Sequence, residues 1–382
     1  MKIKQKIAIN ATFTHDRPTG LGIYTSEVLT ELLKYSYELD FIVFSNSKQL
    51  KDLYPNRVNQ VKSPISPELG FKGHLARILW LQTLPLRLRN QNASLLYSTV
   101  PEGILFPYAK QIITIHDLIP IKFPELFPRL KYHYLYNLPL LLKNSCAVIC
   151  DSENTKKDVL NFYKSYDKPI HVVPVGFDKK KFHPQEKGII RKKYGFTKYL
   201  LFVGDLRPYK NLEKSIEAFG SLHLNDFKFV IAGKKDSRFY PLLEKKIEQL
   251  SLKEKVIFMG YVPEQDLPSL YSEAAALVFP SLYEGFGLPL LEAMGCGCPV
   301  ITSNLSSLPE VCQEAAFYVD PYRVESIAEG IFQVVTKPGL KELLVTKGFE
   351  RAQCFGWEIT AREILKILYQ NVYSNESTCL PK

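Results

Sequence analysis

The sequence predicts an α/β protein made of two Rossmann-like domains, each built around a parallel sheet. Short apolar runs alternate with helix-patterned stretches, and the alternation restarts after a polar, basic stretch near mid-chain. A length of 382 residues is long for one domain and natural for two. Strands of the first domain are expected at Ile7–Asn10, Phe41–Ser45, Leu95–Tyr97, Ile112–Ile115, Ala147–Cys150 and His171–Val173. The stretch Asp178–Pro184 reads as the linker. A second set follows at Tyr199–Val203, Lys228–Ala232, Val256–Met259, Ala276–Phe279 and Pro299–Thr302. Around Trp357–Tyr373, the residues Ile359, Ile364, Leu365 and Leu368 fall at helical spacing. The domains are therefore placed at 1–182 and 183–356, with a last helix in 357–382. The polar tail after Asn375 is expected to fray.

Composition narrows the class. An apolar content of 46% suits sizeable cores, and no apolar run reaches 18 residues, so no membrane-spanning helix is expected. The N-terminus Met1–Asn10 is basic, then apolar for too few residues to be a secretory signal. A cytoplasmic protein is expected. Its seven cysteines fit reduced thiols: Cys146 and Cys150 flank an apolar strand, and Cys296 and Cys298 have no second Cys/His pair in register for zinc.

The net charge of +10 and pI near 9.0 call for an anionic partner. A basic nucleic-acid-binding protein is one reading, but the lysines are scattered and no recognised nucleic-acid module is present. A membrane surface explains the charge better. Phe71–Leu81 and Arg87–Arg89 mix apolar residues (Phe71, Leu75, Ile78, Leu79, Trp80) with Lys72, Arg77, Arg87 and Arg89. A peripheral position on the inner face of an anionic membrane is the corresponding expectation; a core-packed helix with a solvated basic face is the alternative.

The chemistry concentrates in Pro280–Val300. An apolar run, Ala274–Phe279, leads through a loop with two glycines to Pro289, which suits a first helical turn. A helix N-terminus there offers donors and partial positive charge to a phosphate. Glu284 and Glu292 frame the loop; carboxylates do not bind phosphate, so they are expected to take the hydroxyls of whatever carries it. Phosphate plus polyol at one junction suggests a nucleotide sugar. At the entrance to the second domain, Lys210 precedes a helix opening at Asn211, and Arg207 can add a bidentate fork for a diphosphate. In the first domain His116 ends an apolar strand, where open α/β sheets place ligands, and Asp117 is expected to fix the turn. Gly20 and Gly22 form a two-glycine loop within Arg17–Tyr24, short of a full dinucleotide fingerprint.

Glu284, seven residues, Glu292, then Ala-Met-Gly-Cys-Gly-Cys-Pro-Val-Ile resembles the signature of retaining glycosyltransferases of family 4, which have the GT-B fold. That fold consists of two Rossmann-like domains whose parallel sheets face a central cleft. The resemblance spans nearly the whole chain, specific in the second domain and loose between Asn46 and Asn92. It implies that Lys210 and Arg207 contact the donor diphosphate, and that Glu284 holds the donor sugar. Glu292 would take the ribose hydroxyls, while Phe286, Gly287 and Leu288 supply mainly backbone amides. His116 would reach the donor sugar, with Gly20 and Gly22 facing the diphosphate and acceptor.

Two departures stand out. Asp205 occupies the place after Gly204 where the family usually has Arg, making Arg207 a substitute. Val175 replaces the Asn of the usual Pro-Asn-Gly. The phrasing His-Asp-Leu-Ile-Pro and Gly-Asp-Leu-Arg-Pro-Tyr-Lys-Asn is similar to mannosyltransferase-like members. GDP-mannose is thus the favoured donor, with UDP-glucose and other UDP-hexoses open, and a glycan or lipid-linked acceptor implied. No two aspartates are separated by one residue, so metal-independent transfer without a cofactor is expected. A nucleotide-sugar epimerase or hydrolase of the same fold is the alternative, although no additional carboxylate or His cluster demands it.

Overall fold

The computed structural model describes residues 4–14, 20–35, 39–60 and 70–373. The chain divides into two compact units, Met1–Gly176 with Trp357–Lys382, and Phe177–Gly356. The first holds seven strands: β1 (Gln5–Ala11), β2 (Leu39–Ser45), β3 (Val58–Gln60), β4 (Ala93–Ser98), β5 (Lys110–Ile115), β6 (Ala147–Cys150) and β7 (Ile170–Val172). They form one parallel sheet in the order β3-β2-β1-β4-β5-β6-β7. The second unit holds β8 (Tyr199–Val203), β9 (Lys228–Ala232), β10 (Val256–Gly260), β11 (Ala276–Phe279), β12 (Val300–Ser303) and β13 (Ala316–Val319). Its parallel order is β10-β9-β8-β11-β12-β13.

Both sheets are doubly wound. Chain order reverses between β1 and β4 in one and between β8 and β11 in the other, and the crevice beyond the carboxyl ends at such a switch point is where ligands settle. Central strands are buried on both faces: every residue of Ala147–Cys150 and of Ala276–Phe279 is buried. The Trp357–Tyr373 helix belongs to the first unit and packs on the Gly20–Tyr35 helix. The stretch read as a linker is structured: Lys181 and Phe182 amides bond back to the Asp178 carbonyl, and the buried Phe182 ring meets Tyr271 edge-on at 6.1 Å.

Two further details differ from the sequence reading. Gly20 and Gly22 lie in the first turn of a helix that begins at Gly20, rather than in a loop; Arg17–Thr19 fall outside the described residues. Gly20 is exposed with nothing near its Cβ direction, whereas Gly22 is buried. Arg77 does not face outward. In the Gly70–Leu81 helix it is 3% exposed and forms two 3.0 Å hydrogen bonds to Glu102, while Phe71, Leu75 and Leu79 are exposed. The six cysteines among the described residues are free thiols, and Cys379 lies outside them.

Candidate active site

In the second unit the switch point gathers two loops. One leaves β8 through Gly204 and turns through a short 3-10 segment, Pro208–Lys210, into the Leu212–Ser221 helix. The other leaves β11 through Pro280–Gly287 into the Leu288–Gly295 helix, with Pro289 in its first turn. Close approach of the strand ends requires glycine: a Cβ on Gly233, just after β9, would lie 1.8 Å from the Gly204 carbonyl oxygen. Gly287 has φ +107°, a left-handed conformation that glycine adopts without strain.

Asn211 ties the loops together. It adopts a left-handed conformation itself (φ 61°), and its side-chain amide donates to the carbonyls of Pro280 (3.1 Å) and Pro321 (2.7 Å). The Leu282 amide also donates to the Tyr209 carbonyl at 2.7 Å. The second loop is held from its other side. Ser306 Oγ accepts from the Glu284 amide at 2.9 Å, and the Ser307 hydroxyl lies 3.0 Å from the carbonyls of both Glu284 and Phe286. Ser307 precedes a short helix and would ordinarily cap it, yet its hydroxyl makes no cap bond and braces the loop instead.

The outcome is a buried ion pair. Lys210 Nζ lies 2.7 and 2.8 Å from the two Glu284 carboxylate oxygens, with both side chains largely buried. Burial works against the lysine charge, but the Glu284 carboxylate outweighs it and leaves the ammonium pKa raised. The Phe279 ring, 5.1 Å away, adds a cation–π contact. Arg207 stands apart: its guanidinium contacts Asp205 Oδ2 at 3.3 Å and the Tyr209 hydroxyl at 3.4 Å. The substitution at position 205 and the displaced arginine are therefore in direct contact. The Phe286 side chain is buried edge-on against Phe355 at 5.8 Å, and Leu288 opens the helix as its first residue.

Glu292, in the second turn of that helix, accepts a 2.8 Å hydrogen bond from the Tyr271 hydroxyl. Desolvation by burial raises its carboxyl to about 7, against the lowering influence of Tyr271 and Lys181. Sequence reading placed Asn211 at a helix start but not as the tie between the loops, and it did not single out Tyr271, Ser306 or Ser307. Their partners are distant in the chain, and only the turn-forming character of the Ser306-Ser307 pair before Pro309 hinted at a role.

In the first unit His116 follows β5, one strand from the switch point. Its ring is 8% exposed and hydrogen-bonded at both nitrogens, to Asp151 and to the Thr99 carbonyl. Asp117 fixes the following turn by accepting from the Ile119 amide at 2.9 Å. Among the described residues no group of three or more His, Cys, Asp or Glu could hold a metal ion.

Known proteins share this pattern of loops and strands. The family model described as glycosyl transferases group 1 matches residues 186–351, and that of Glycosyltransferase Family 4 matches residues 18–181. The chain belongs to these glycosyltransferases. This glycosyltransferase is 29% identical over 260 residues to the O-antigen chain mannosyltransferase B of Escherichia coli, covering 65% of this chain and 67% of that one. It is 32% identical over 211 residues to the O-antigen chain mannosyltransferase RfbU of Salmonella typhimurium, covering 55% of this chain and 57% of the relative. Among solved structures, Anabaena HepE in complex with UDP and glucose superposes with a TM-score of 0.74 at 17% identity, over 96% of this chain and 100% of the other. At that identity the likeness shows the fold, which is GT-B.

Proposed function

We propose that this glycosyltransferase moves a hexose, mannose foremost, from a nucleoside-diphosphate sugar to a glycan or lipid-linked acceptor. Transfer retains the anomeric configuration and uses no metal ion or cofactor. The observation that carries this is the buried Lys210–Glu284 pair at the switch point of the second sheet. Without a donor each charge satisfies the other. With a donor the pair would divide: Lys210 takes the diphosphate, and Glu284 takes sugar hydroxyls. Departure of the nucleoside diphosphate leaves negative charge at an ammonium already in place and needing little reorganisation. Arg207 would join by leaving Asp205, and the first-turn amides of Gly287 and Leu288 would add donors of their own. Gly20 and Gly22, on the first unit, would face the diphosphate and acceptor.

Mannose is favoured because two relatives with that activity match the chain; a UDP-hexose is the competing donor. In an assay with a chelator present, GDP-mannose is expected to give product with retained anomeric configuration by NMR. Donor without acceptor should turn over slowly, since a closed, dry site protects it. A strict Mg²⁺ or Mn²⁺ requirement, an inverted product, or rapid acceptor-free release of sugar would each overturn this reading.

Donor binding should depend on pH through Glu292. If its carboxylate receives ribose hydroxyls, it must be ionised, and its titration near about 7 falls in the working range. Nucleoside-diphosphate affinity is expected to rise several-fold from pH 6 to pH 8 by calorimetry, and a flat profile would remove Glu292 from the ribose site. The stability sign is opposite: relative to an ordinary carboxyl at 4.5, this group's contribution is present below 4.5 and lost as pH rises toward about 7.

A different set of exposed residues supports the membrane reading. No helix among the described residues is long and apolar enough to cross a membrane. Phe71, Leu75 and Leu79 of one helix and Leu86 of the Leu84–Asn90 helix are exposed, as are Lys72, Arg87 and Arg89 of the same two helices. Arg89 also sits over the exposed Tyr108 ring at 5.5 Å. We infer peripheral docking on the anionic inner face of a membrane, each cation contributing roughly 1 kcal/mol and less at high salt. Lys72, Arg87 and Arg89 changed together to Gln should abolish co-sedimentation with phosphatidylserine vesicles; binding that ignores those changes would count against it.

A further inference from the structure

Strand register sets His116 beside Asp151. β5 and β6 run parallel with Ile115 opposite Cys150, so the next residue on each meets its neighbour just past the strand ends. His116 Nδ1 lies 2.6 Å from Asp151 Oδ2, and Nε2 lies 2.8 Å from the Thr99 carbonyl oxygen. A carbonyl oxygen can only accept, so Nε2 carries a proton. An ionised carboxylate also only accepts, so Nδ1 carries one too. A ring held between two acceptors is an imidazolium, and it has no lone pair with which to act as a general base. Burial opposes that charge, but the Asp151 carboxylate beside it and the two hydrogen bonds outweigh burial, so the pKa of His116 is raised. The other titratable groups facing the ring are Asp117 and Tyr24, whose ring stands edge-on at 4.6 Å from the Gly20–Tyr35 helix. Burial pushes the Tyr24 hydroxyl well above its ordinary value, so it stays neutral.

Asp151 is poorly served as a scaffold residue. It is 3% exposed, and its Oδ1 is buried with no hydrogen-bond partner among the described residues. A buried carboxylate left half-satisfied is costly, whereas an asparagine could bridge to a neutral His116 ring in the same space. The carboxylate's distinctive contribution is its charge.

We propose that Asp151 is a positioning residue for glycosyl transfer, holding His116 as a fixed cation whose Nε2–H passes from the Thr99 carbonyl to an oxygen of the donor sugar. This rests on the reading of His116 as a sugar contact. Asp151 itself does not touch the sugar. A charged donor makes a hydrogen bond roughly twice as strong as a neutral one, and the bond to Asp151 fixes which ring nitrogen is offered.

The test pairs a direct measurement with kinetics. In protein labelled with ¹⁵N-histidine, both ring nitrogens of His116 are expected to show the protonated signature at pH 7. In Asp151→Asn that signature should vanish at lower pH. Turnover with GDP-mannose should fall roughly tenfold to a hundredfold in the variant, with donor KM little changed. Its rate should also decline as pH rises through the lowered His116 titration, where the parent stays flat. A neutral ring in the parent at pH 7, or a variant pH profile matching the parent's, overturns the proposal. Full turnover in His116→Ala overturns the sugar contact on which the proposal rests, and is told apart by imidazolium signals that persist in the parent.

Discussion

Lys210→Ala is expected to lose transfer and stability together. The ammonium faces the position proposed for the departing diphosphate, and removal of one such electrostatic partner costs about 10²–10³ in turnover. Turnover should fall more than donor affinity, because the charge on the leaving group is complete only after the bond breaks. A diphosphate contact, which is all the sequence implies for Lys210, would make this a clean catalytic variant. The structure does not, because Glu284 is 6% exposed and loses its ammonium partner. Breaking a buried pair from one side costs about 3–5 kcal/mol, most of it the stranded charge. A second variant separates the two effects: Lys210→Met combined with Glu284→Gln removes both charges and should recover much of the lost melting temperature while remaining inactive. Near-parental turnover in either variant would take Lys210 out of the mechanism. A double variant no more stable than Lys210→Ala would mean that the pair is not buried as described.

The parts of this molecule that were legible in its sequence are those written locally. Tyr199–Val203, Ala147–Cys150 and Ala276–Phe279 are continuous apolar runs, as is Lys228–Ala232 after its first residue, and all four form strands with those bounds. β3 offers only Val-Asn-Gln at a sheet edge, too short and polar to register. β13, also at an edge, follows a short helix and a 3-10 turn with no clear punctuation. The glycine-rich loop and the helix start at Pro289 were likewise local.

Pairings were not. Lys210 with Glu284, His116 with Asp151, and Tyr271 with Glu292 depend on strand order and register, and nothing near either residue reports its partner. The Gly70–Leu81 helix shows how a local pattern can mislead. Phe71, Leu75 and Leu79 recur every four residues, the spacing of a buried stripe, yet that stripe is exposed, while Gly73, His74, Arg77 and Leu81 face inward. The inversion has a specific cause in a loop some 25 residues onward, where Glu102 supplies a buried counter-charge.

That buried cluster yields the second large effect. Arg77 grips Glu102 with Nε and Nη2, each at 3.0 Å, and His74 Nδ1 lies 2.7 Å from Glu102 Oε1. The arginine's guanidinium also stacks over Phe13 at 4.1 Å. Burial alone would raise the Glu102 carboxyl, but the Arg77 charge and the hydrogen bonds from His74 and Arg77 bring it down to about 2. Its contribution to stability is therefore present above the ordinary 4.5 and lost as pH falls toward about 2. Arg77→Gln should destabilise the first unit by about 3–5 kcal/mol, enough to lower its thermal transition by roughly 10 °C. The same substitution should leave vesicle binding unchanged below that transition, because Arg77 presents no charge to the outside. Glu102→Gln added to Arg77→Met should return part of the loss, since neither residue is then stranded. Arg77→Gln protein that melts like the parent but no longer binds anionic vesicles would reverse the assignment and return this arginine to the surface.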